Sequence, residues 1–583
     1  MLQTSQAITN KDRFILAIPI WLVWMVAFLF VGIGLGSYAI LDNNEGLYSE
    51  ISREMLRSGD WHQWVIPHLN GLAYMEKPPL LYWLTAVSFA IFGESEWSAR
   101  LVPVISSLSC VGLLLWFGKK LGRPQTVRLA AIMFVSGLGV TAMSRTLMFD
   151  MLLTALLTAA LMWAYFFVVN HDARAVRFAY AFLGLAVMAK GFIAIILFCA
   201  VIGSFILSQS TSVRDFFTRL GQCWNWKAIG IFLLIVLPWH IIAVLTEPIF
   251  AWFYFINEHV LRFLGKREPH DYYAGAWWYY LPRMVLYLFP WSFLLLGVFL
   301  GKKVESRTES SASATELSVG QTGKKTGKQL QWFLSFAWLM PMLFFSISSA
   351  KANYYLVTVM PLASFQLAIL LEERQYGGRW GRLLPGLILT IVFGGLAWFV
   401  FHHPQEKLDA IQIVGLSANQ FLLYALLTLI ILATTSALIA WRWARVGILA
   451  YVLLPFATLF IFLNILHVST EWTSTRPLAN VLNNDHSERK VFLFQVFEDQ
   501  SSLAFYLKKP VYVIESRSSD LFWGNKLHKN NIALSSSDFE RAANTPSLAV
   551  VVLNRDVALF TSKTYAKNFR LSQKFANVSL FLN

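Results

Sequence analysis

Charged side chains are scarce in this sequence. Asp, Glu, Lys and Arg together make up 14% of its 583 residues, whereas soluble proteins usually contain about 25%. Hydrophobic residues reach 56%, which excludes an ordinary soluble enzyme and an intrinsically disordered chain. The 23 Trp and 47 Phe residues also suit a protein that is partly surrounded by lipid.

Cysteine is scarce as well. Cys110 and Cys199 lie in apolar runs, and Cys223 lies in a short basic connection. No two of them share a predicted outer loop and no CxxC pair occurs, so neither a disulfide framework nor a cysteine zinc site is expected. The first residues also lack a small-residue cleavage site, so we expect the apolar segment from Phe14 to remain as an anchor.

Long apolar runs dominate the first four fifths of the chain. A helix needs about 20 mostly apolar residues to span a bilayer, and this length predicts a mainly α-helical polytopic membrane protein with about thirteen transmembrane helices. The predicted spans are 14–40, 101–118, 129–146, 149–169, 178–189, 191–208, 228–245, 282–301, 331–348, 354–371, 383–402, 420–441 and 447–467. Residues 1–467 are therefore the predicted membrane domain.

Basic residues are concentrated in alternate connections between these spans. The basic connections are 118–128, 171–177, 212–220, 302–330 and 442–445. Because cytoplasmic loops are enriched in Lys and Arg, we expect the N-terminus in the cytoplasm and the C-terminus outside. The net charge of +15 is then largely a topological signal, and nucleic acid is not an expected partner.

Three predicted outer segments have a different character. The first, 41–100, is long and charged, and the second, 246–281, is rich in aromatic residues. From about 468 the hydropathy falls to that of a soluble domain, with predicted strands at 491–497, 510–515 and 547–554 and predicted helices at 501–507 and 536–544. Residues 468–583 are therefore a predicted small periplasmic α/β domain.

The first outer segment begins with an amphipathic run at 44–57. Leu47, Ile51 and Met55 recur every four residues, which predicts a helix with one apolar stripe. We expect this interfacial helix to lie along the membrane surface. The Glu–Arg pairs at positions 50 and 53 and at 54 and 57 are predicted to be ordinary ion pairs on a solvated face.

The run YMEKPP at 74–79 combines an acid, a base and two prolines. The prolines exclude a regular helix through Lys77 and predict a fixed turn before a new helix begins. Glu76 and Lys77 are either an interfacial ion pair or, as the neighbouring aromatics and the rigid turn favour, part of a phosphate site in which Lys77 contacts the phosphate.

Asp150 lies at the edge of a predicted span, in the run SRTLMFD. Carboxylates at this depth are rare and commonly functional. The alternative is a simple ion pair between Arg145 and Asp150 across a tight outer turn.

Several longer motifs occur in a specific order. They are NEGLYSEISREMLRSGDW (44–61), LNGLAYMEKPPLLYWLTAVSFAIFGESEWSARL (69–101), MAKG (188–191), EHVLRF (258–263), WWYYLPRMVLYLFPW (277–291) and SSAKANYYLVTVMP (348–361). In these motifs the region 14–375 resembles the bacterial aminoarabinose lipid A transferase and protein O-mannosyltransferase type of GT-C glycosyltransferase. The resemblance implies an inverting enzyme of the inner membrane that moves a sugar, aminoarabinose or a hexose, from undecaprenyl phosphate to lipid A or another periplasmic acceptor.

The resemblance also implies roles for particular residues. The residues that match donor-phosphate motifs are Tyr74, Lys77, Arg262, Lys351 and Tyr355. Glu76 and His259 match the same motifs, and carboxylate and imidazole side chains suit a divalent metal such as zinc or magnesium. The structural alternative for this region is that Glu258 simply pairs with Arg262, four residues later.

The predicted catalytic acid is where the sequence departs from the family pattern. Many relatives have Asp-Glu at the start of the first interfacial helix, whereas this chain has Asn44-Glu45, with Asp42 two residues earlier. A hydroxyl acceptor benefits from a general base, but a phosphate acceptor is already anionic. Either Asp42 or Glu45 takes this role, or the enzyme depends on Asp150 and its acceptor differs.

Other functions remain open at this stage. A related transferase would use protein Ser/Thr or another envelope glycan as its acceptor. A transporter of lipid-linked saccharides is a different class, and it would be expected to contain internal repeats with polar residues near the bilayer midplane. The sequence has no clear internal repeat, and its informative polar residues are in outer loops, which favours an enzyme. A monomer is expected.

Overall fold

The computed structural model of the chain describes residues 17–270, 275–300, 314–374, 378–527 and 532–583. Within these ranges, eight helices are long and apolar enough to cross a membrane: Leu101–Lys120, Phe149–Asn170, Trp226–Thr246, Gly327–Ile347, Asn353–Glu373, Gly378–His402, Ala418–Arg442 and Gly447–Val468. A ninth candidate is the pair Tyr280–Tyr287 and Trp291–Phe299, which is bent by 106°. The chain is therefore a multi-pass membrane protein.

Shorter or less apolar helices occupy the other predicted spans. They are Ile20–Gly32, Pro124–Ser136 with Leu138–Met143, Ala173–Lys190 and Ile193–Gln209. The break at Gly191 separates the last two, between the predicted spans 178–189 and 191–208. The exact number of thirteen spans stays a prediction, because these helices are too short or not apolar enough to count as spans by themselves.

The first outer segment folds into helices and one small hairpin. Its helices are Asn44–Arg57, His62–Val65, Leu80–Phe92 and Glu96–Ala99, and its strands are β1 (His68–Leu69) and β2 (Leu72–Ala73), which pair antiparallel. The second outer segment contains a short α-helix at Ile249–Ala251 and a π-helix at Trp252–Leu261. Both segments lie at the end of the bundle that holds the cavity described below.

The predicted helix at 44–57 is confirmed, but its predicted setting is wrong. Most of its residues are buried, because the Leu80–Phe92 and Ser502–Leu507 helices pack against it. Glu50 and Arg53 do pair, at 2.7 Å, but both are buried. Arg57 pairs with Glu94 at 2.6 Å rather than with Glu54. Protein therefore covers the face that was expected to meet solvent.

After Val468 the chain forms an α/β unit. A second hairpin, β3 (Gln412–Ile413) and β4 (Leu416–Ser417), precedes it in the membrane part. The unit contains six strands: β5 (Lys490–Phe494), β6 (Tyr512–Ile514), β7 (Ala533–Leu534), β8 (Leu548–Leu553), β9 (Arg570–Lys574) and β10 (Val578–Leu582). They form one sheet in the order β7-β6-β5-β8-β10-β9, parallel from β7 to β8 and antiparallel beyond it.

Helices cover this sheet: Arg476–Asp485, Ser502–Leu507, Phe522–Leu527, Ser536–Ala542 and Val557–Thr561. The three predicted strands and two predicted helices are confirmed. Apolar side chains of the unit, such as Leu503 and Val513, share one core with Leu47 and Ile51 of the first outer segment. The assignment of 468–583 to a separate domain stays a prediction, because this core joins it to the rest of the chain.

Candidate active site

A cavity of about 950 Å³ lies between the bundle, the two outer segments and the C-terminal unit. One part of its wall is apolar and is formed by Met148, Phe149, Leu153, Ile193, Ile196, Phe344 and Phe345. Another part is charged and contains Glu76, Lys77, Asp150, Lys190, Glu258, Arg262 and Arg267. The cavity therefore offers an apolar surface and a dense group of charges to the same ligand.

The 74–79 run forms the fixed turn that its prolines predict. It follows the β1–β2 hairpin, and the Leu80–Phe92 helix begins directly after Pro79. Lys77 lies in the cavity wall, with its Nζ atom 3.7 Å from Glu76 and 3.5 Å from Glu258. The turn thus holds the Lys77 ammonium group at the cavity surface, and Lys77 itself lies outside the helix that follows.

Glu258 contacts three cationic side chains, two of which lie in the second outer segment. It accepts a hydrogen bond from Arg262 at 3.0 Å and one from the Arg267 side chain, and it lies 3.5 Å from Lys77. Burial alone would raise the pKa of Glu258, but these three cations outweigh burial and hold it at about 2. The alternative that Glu258 pairs with Arg262 is confirmed, and the pair belongs to a larger group that the sequence did not predict.

Asp150 lies in the first turn of the Phe149–Asn170 helix, 1% exposed, at the cavity wall. It accepts a hydrogen bond from the Lys190 ammonium group. The alternative pairing with Arg145 is wrong, because Arg145 donates to the carbonyl oxygens of Phe30 and Ile33. Lys190 was missed as a functional residue, although the MAKG motif places a lysine at the outer end of an apolar segment.

Gly191 explains why Lys190 reaches this position. The helix that contains Lys190 ends there, with a φ of +86° that a glycine adopts without strain. A Cβ atom at Gly191 would lie 2.8 Å from His259 Nε2 and 2.8 Å from Tyr254 Oη. The glycine therefore lets the second outer segment approach the end of the Lys190 helix.

Glu45 is not among the described residues that line the cavity. It is 2% exposed and forms a two-pronged ion pair with Arg100, with N–O distances of 2.9 and 2.8 Å. Its carboxylate also accepts hydrogen bonds from the backbone amides of Leu41 and Leu147. This geometry corrects the expectation of a general base, because every contact holds Glu45 in the protein interior.

Asp42 and Asn44 differ in their position relative to the cavity. Asp42 is also not among the described lining residues, and its carboxylate accepts hydrogen bonds from the amide and hydroxyl of Ser502. Burial raises the pKa of Asp42 to about 7. Asn44 does line the cavity, and its Oδ1 atom accepts a hydrogen bond from Tyr48 at 3.0 Å. Of the three predicted acids, Asp150 alone is among the described lining residues.

Lys351 and Tyr355, the two predicted phosphate contacts of the 348–361 motif, have different positions in the structure. Tyr355 lines the cavity, with its ring centroid 4.6 Å from Lys190 Nζ. Lys351 is buried and donates to the carbonyl oxygens of Phe345, Ser346 and Ser348, at the end of the Gly327–Ile347 helix. Lys351 therefore caps that helix, which corrects the expectation of a phosphate contact.

The predicted metal ligands do not fit a metal in this arrangement. His259 uses both ring nitrogens, Nδ1 with the carbonyl of Tyr254 at 2.6 Å and Nε2 as acceptor from the amide of Phe192 at 3.2 Å. Glu76 accepts a hydrogen bond from Arg267 at 2.6 Å. Among the described residues, no group of three or more His, Cys, Asp or Glu is placed to hold a metal ion.

The C-terminal unit completes the cavity. Its lining residues are Val496, Glu498, Asp499, Arg517, Ser519, Asp520 and Arg555. Asp520 lies 3.3 Å from the Tyr74 hydroxyl, which also lies 3.3 Å from Glu76. Burial, followed by the charges of Glu76 and Glu498, raises the pKa of Asp520 well above its usual value. No motif in the sequence connected these residues with the YMEKPP turn, because more than four hundred positions separate them.

Comparisons with known proteins show which sequences this chain is similar to. Residues 76–242 match the family model of dolichyl-phosphate-mannose-protein mannosyltransferases. The undecaprenyl phosphate-alpha-4-amino-4-deoxy-L-arabinose arabinosyl transferase of Enterobacter sp. (strain 638) is 29% identical over 442 residues, which cover 71% of this chain and 72% of that protein. A transferase of the same name, numbered 2, from Pseudomonas fluorescens (strain Pf0-1) is 29% identical over 70% of this chain and 71% of its own length.

Two solved structures have a fold similar to that of this chain. The crystal structure of ArnT from Cupriavidus metallidurans bound to undecaprenyl phosphate superposes with a TM-score of 0.76. The match has 19% sequence identity and covers 96% of this chain and 97% of that one. The apo form of the same protein gives a TM-score of 0.75. The chain is therefore similar in sequence to these arabinosyl transferases over about 70% of its length, and it shares the fold of the ArnT structure.

Proposed function

We propose that this protein transfers 4-amino-4-deoxy-L-arabinose from undecaprenyl phosphate to lipid A. The names of its sequence relatives support the donor sugar, and the crystal structure bound to undecaprenyl phosphate supports the lipid carrier. The observation that carries the proposal is the cavity, because an apolar wall and a group of fixed cations suit a polyprenyl chain and its phosphate.

The cations would act on the leaving group. When the bond between the sugar and the phosphate breaks, negative charge develops on the phosphate oxygens. Lys77, Arg262 and Arg267 surround Glu258, and cations that are already held in place stabilise such charge without further reorganisation. Tyr355 lines the same cavity beside Lys190 and would contact the phosphate. Tyr74 also lines the cavity, but its hydroxyl donates its one proton to the carboxylate of Glu76 or Asp520.

The reaction would invert the anomeric carbon. An acceptor oxygen attacks that carbon from the face opposite the phosphate, a bond to the acceptor forms, and undecaprenyl phosphate leaves with the bonding electron pair. Asp150, next to Lys190, is the carboxylate best placed to orient the acceptor. Because Glu76 and His259 do not fit a metal, no step depends on one.

Asn44 supports a phosphate acceptor. Its side chain lines the cavity, and an amide cannot remove a proton from a hydroxyl group, which suits an acceptor that needs no base. An acceptor phosphate on lipid A is already anionic and needs no base. A second candidate is transfer to a protein or glycan hydroxyl, which the match to the protein mannosyltransferase family model favours, with Asp150 as the base.

The family resemblance implies a location in the bacterial inner membrane, and the charge distribution favours one orientation of the chain. We expect the bacterial inner membrane, with the N-terminus in the cytoplasm and both the cavity and residues 468–583 on the periplasmic side. We also expect the protein to act as a monomer.

The test is a reconstituted reaction in detergent. Purified protein is mixed with lipid A and undecaprenyl-phosphate-linked 4-amino-4-deoxy-L-arabinose, and mass spectrometry follows the mass of lipid A. We expect modified lipid A with the wild type and a large loss of turnover with Lys77→Ala and Arg262→Ala. Lys508→Ala is the matched control, because this exposed lysine is not among the described lining residues.

The alternatives give different results. Unmodified lipid A together with transfer of the sugar to an added protein or glycan would replace the acceptor in the proposal. A transporter would modify nothing in detergent, because it needs two compartments separated by a membrane.

A further inference from the structure

The turn that leads into the Asn44–Arg57 helix has a strained backbone. Asn43 has φ of 69° and ψ of −134°, a region that is essentially restricted to glycine. Such a conformation is energetically unfavourable and persists only when surrounding groups impose it. Asn43 and Asn44 both line the cavity, so the strain lies at the proposed acceptor side.

The C-terminal unit supplies the groups that hold this turn. The amide of Asn43 donates to the carbonyl of Glu498 at 2.9 Å, and its carbonyl accepts from Ser501 Oγ at 2.8 Å. Asp42 Oδ1 accepts from Ser502 N at 2.9 Å and from Ser502 Oγ at 2.7 Å. Hydrogen bonds therefore join both residues of the turn to the segment 498–502.

Gly46 brings the two segments into backbone contact. A Cβ atom at this position would lie 2.4 Å from Ser501 Oγ and 2.6 Å from Ser502 N. Real Cβ atoms essentially never approach this closely, so any other residue at Gly46 must push the segment 498–502 away. The hydrogen bonds of Asp42 and Asn43 depend on this close approach.

The same segment continues into the cavity. Glu498 and Asp499 line it, as Asn43 and Asn44 do from the opposite side of the contact. A shift between the two segments would therefore move lining groups relative to one another. The cations Lys77, Arg262 and Arg267 lie elsewhere in the wall and are held by Glu258.

We propose that Asp42 and Gly46 are positioning residues, which hold the strained Asn43 turn against the segment 498–502 and so make the C-terminal unit part of the active site. This inference rests on the proposed glycosyl transfer, and it adds the way in which the acceptor side is assembled. Neither residue touches substrate. Both act through Asn43, Asn44 and Glu498.

The central test is Gly46→Ala, with Gly203→Ala as the matched control. Gly203 also lies in a helix, but a Cβ atom there meets nothing within 4 Å. Displacing a reacting group by about 1 Å costs about 100-fold in rate, so we expect kcat of Gly46→Ala to fall by about this factor. The KM for the undecaprenyl-phosphate donor should not change, because the cations around Glu258 do not depend on this contact.

Two variants of Asp42 distinguish a positioning role from proton transfer. They also test the inference if Gly46→Ala does not fold. Asp42→Asn keeps a carbonyl oxygen that accepts from Ser502, whereas Asp42→Ala removes the acceptor. We expect Asp42→Asn to keep most of the kcat and Asp42→Ala to lose it. Equal loss in both variants would identify Asp42 as a general base and overturn the inference. So would a rise in donor KM at unchanged kcat.

Hydrogen–deuterium exchange tests the contact without any substrate. We expect Gly46→Ala and Asp42→Ala to speed amide exchange in residues 41–46 and 498–503, while exchange at residues 74–79 stays as in the wild type. A wild-type protein that modifies no lipid A would refute the proposed function and leave this measurement unaffected. Unchanged exchange in both variants would refute the contact itself.

Discussion

The buried contacts of Glu45 predict that its carboxylate has a structural role rather than a catalytic one. The side chain is 2% exposed and its partner Arg100 is 0% exposed. The informative change is Glu45→Gln, which keeps the shape of the side chain and removes its charge. An amide has one acceptor oxygen, so at least one of the four donors that now point at the carboxylate, from Leu41, Leu147 and Arg100, loses its acceptor.

The magnitude follows from the charge that is left behind. Removing one member of a buried ion pair costs about 3–5 kcal/mol, because the other charge stays buried without compensation. Arg100 also donates to the carbonyl oxygens of Leu35, Tyr38 and Ala39. These contacts reduce the penalty, so we expect a loss near the lower end, about 3 kcal/mol.

The assay combines unfolding with turnover. Thermal unfolding in detergent can be followed with a thiol-reactive dye in a Cys199→Ala, Cys223→Ala background, since the remaining Cys110 is buried and becomes accessible on unfolding. We expect Glu45→Gln to lower the midpoint clearly and to keep its kcat per folded molecule well below that midpoint. Glu471→Gln, at an exposed position, is the control. Unchanged stability together with a collapse of kcat would refute this reasoning and restore Glu45 as a general base.

Three further predictions follow from the same structure. Asp150→Asn should lower kcat about 100-fold or more, with little change in the donor KM, measured by steady-state transfer to lipid A. Lys351→Met should lower the unfolding midpoint and leave the donor KM unchanged, because Lys351 caps a helix; a raised donor KM would return it to the phosphate site. Because the folded pKa of Glu258 is held at about 2, its ionisation stabilises the fold above about pH 4.3 and this contribution is lost as the pH falls toward 2. The unfolding midpoint of Glu258→Gln should therefore fall less than that of the wild type between about pH 6 and pH 3, and parallel curves would contradict this.

Features that depend on neighbouring residues could be predicted from the sequence. The Asn44–Arg57 helix begins and ends where its apolar period predicts, and the turn at Lys77 follows from two prolines. Strand β8 was predicted from its run of valines, whereas the edge strand β9 was not, since its residues are exposed and all but Leu571 are polar. The motif residues Tyr74, Lys77 and Arg262 do reach one cavity.

The partners of the charged groups could not be predicted in this way. Asp150 and Lys190 lie 40 positions apart, Glu45 and Arg100 lie 55 apart, and Asp42 and Ser502 lie 460 apart. Before the chain folds, the carboxylates near the membrane edge are equivalent candidates.

The sequence by itself thus determined a multi-pass membrane protein, its apolar helices and the turn that carries Lys77. Hydropathy and helical period are local properties of a chain, and they are sufficient for these features. Only the tertiary structure decided that Asp150 faces the cavity, that Glu45 is held by Arg100, and that the C-terminal unit supplies part of the wall. Those outcomes depend on which distant segments pack together, because packing sets the burial of each charge and the partner that it meets.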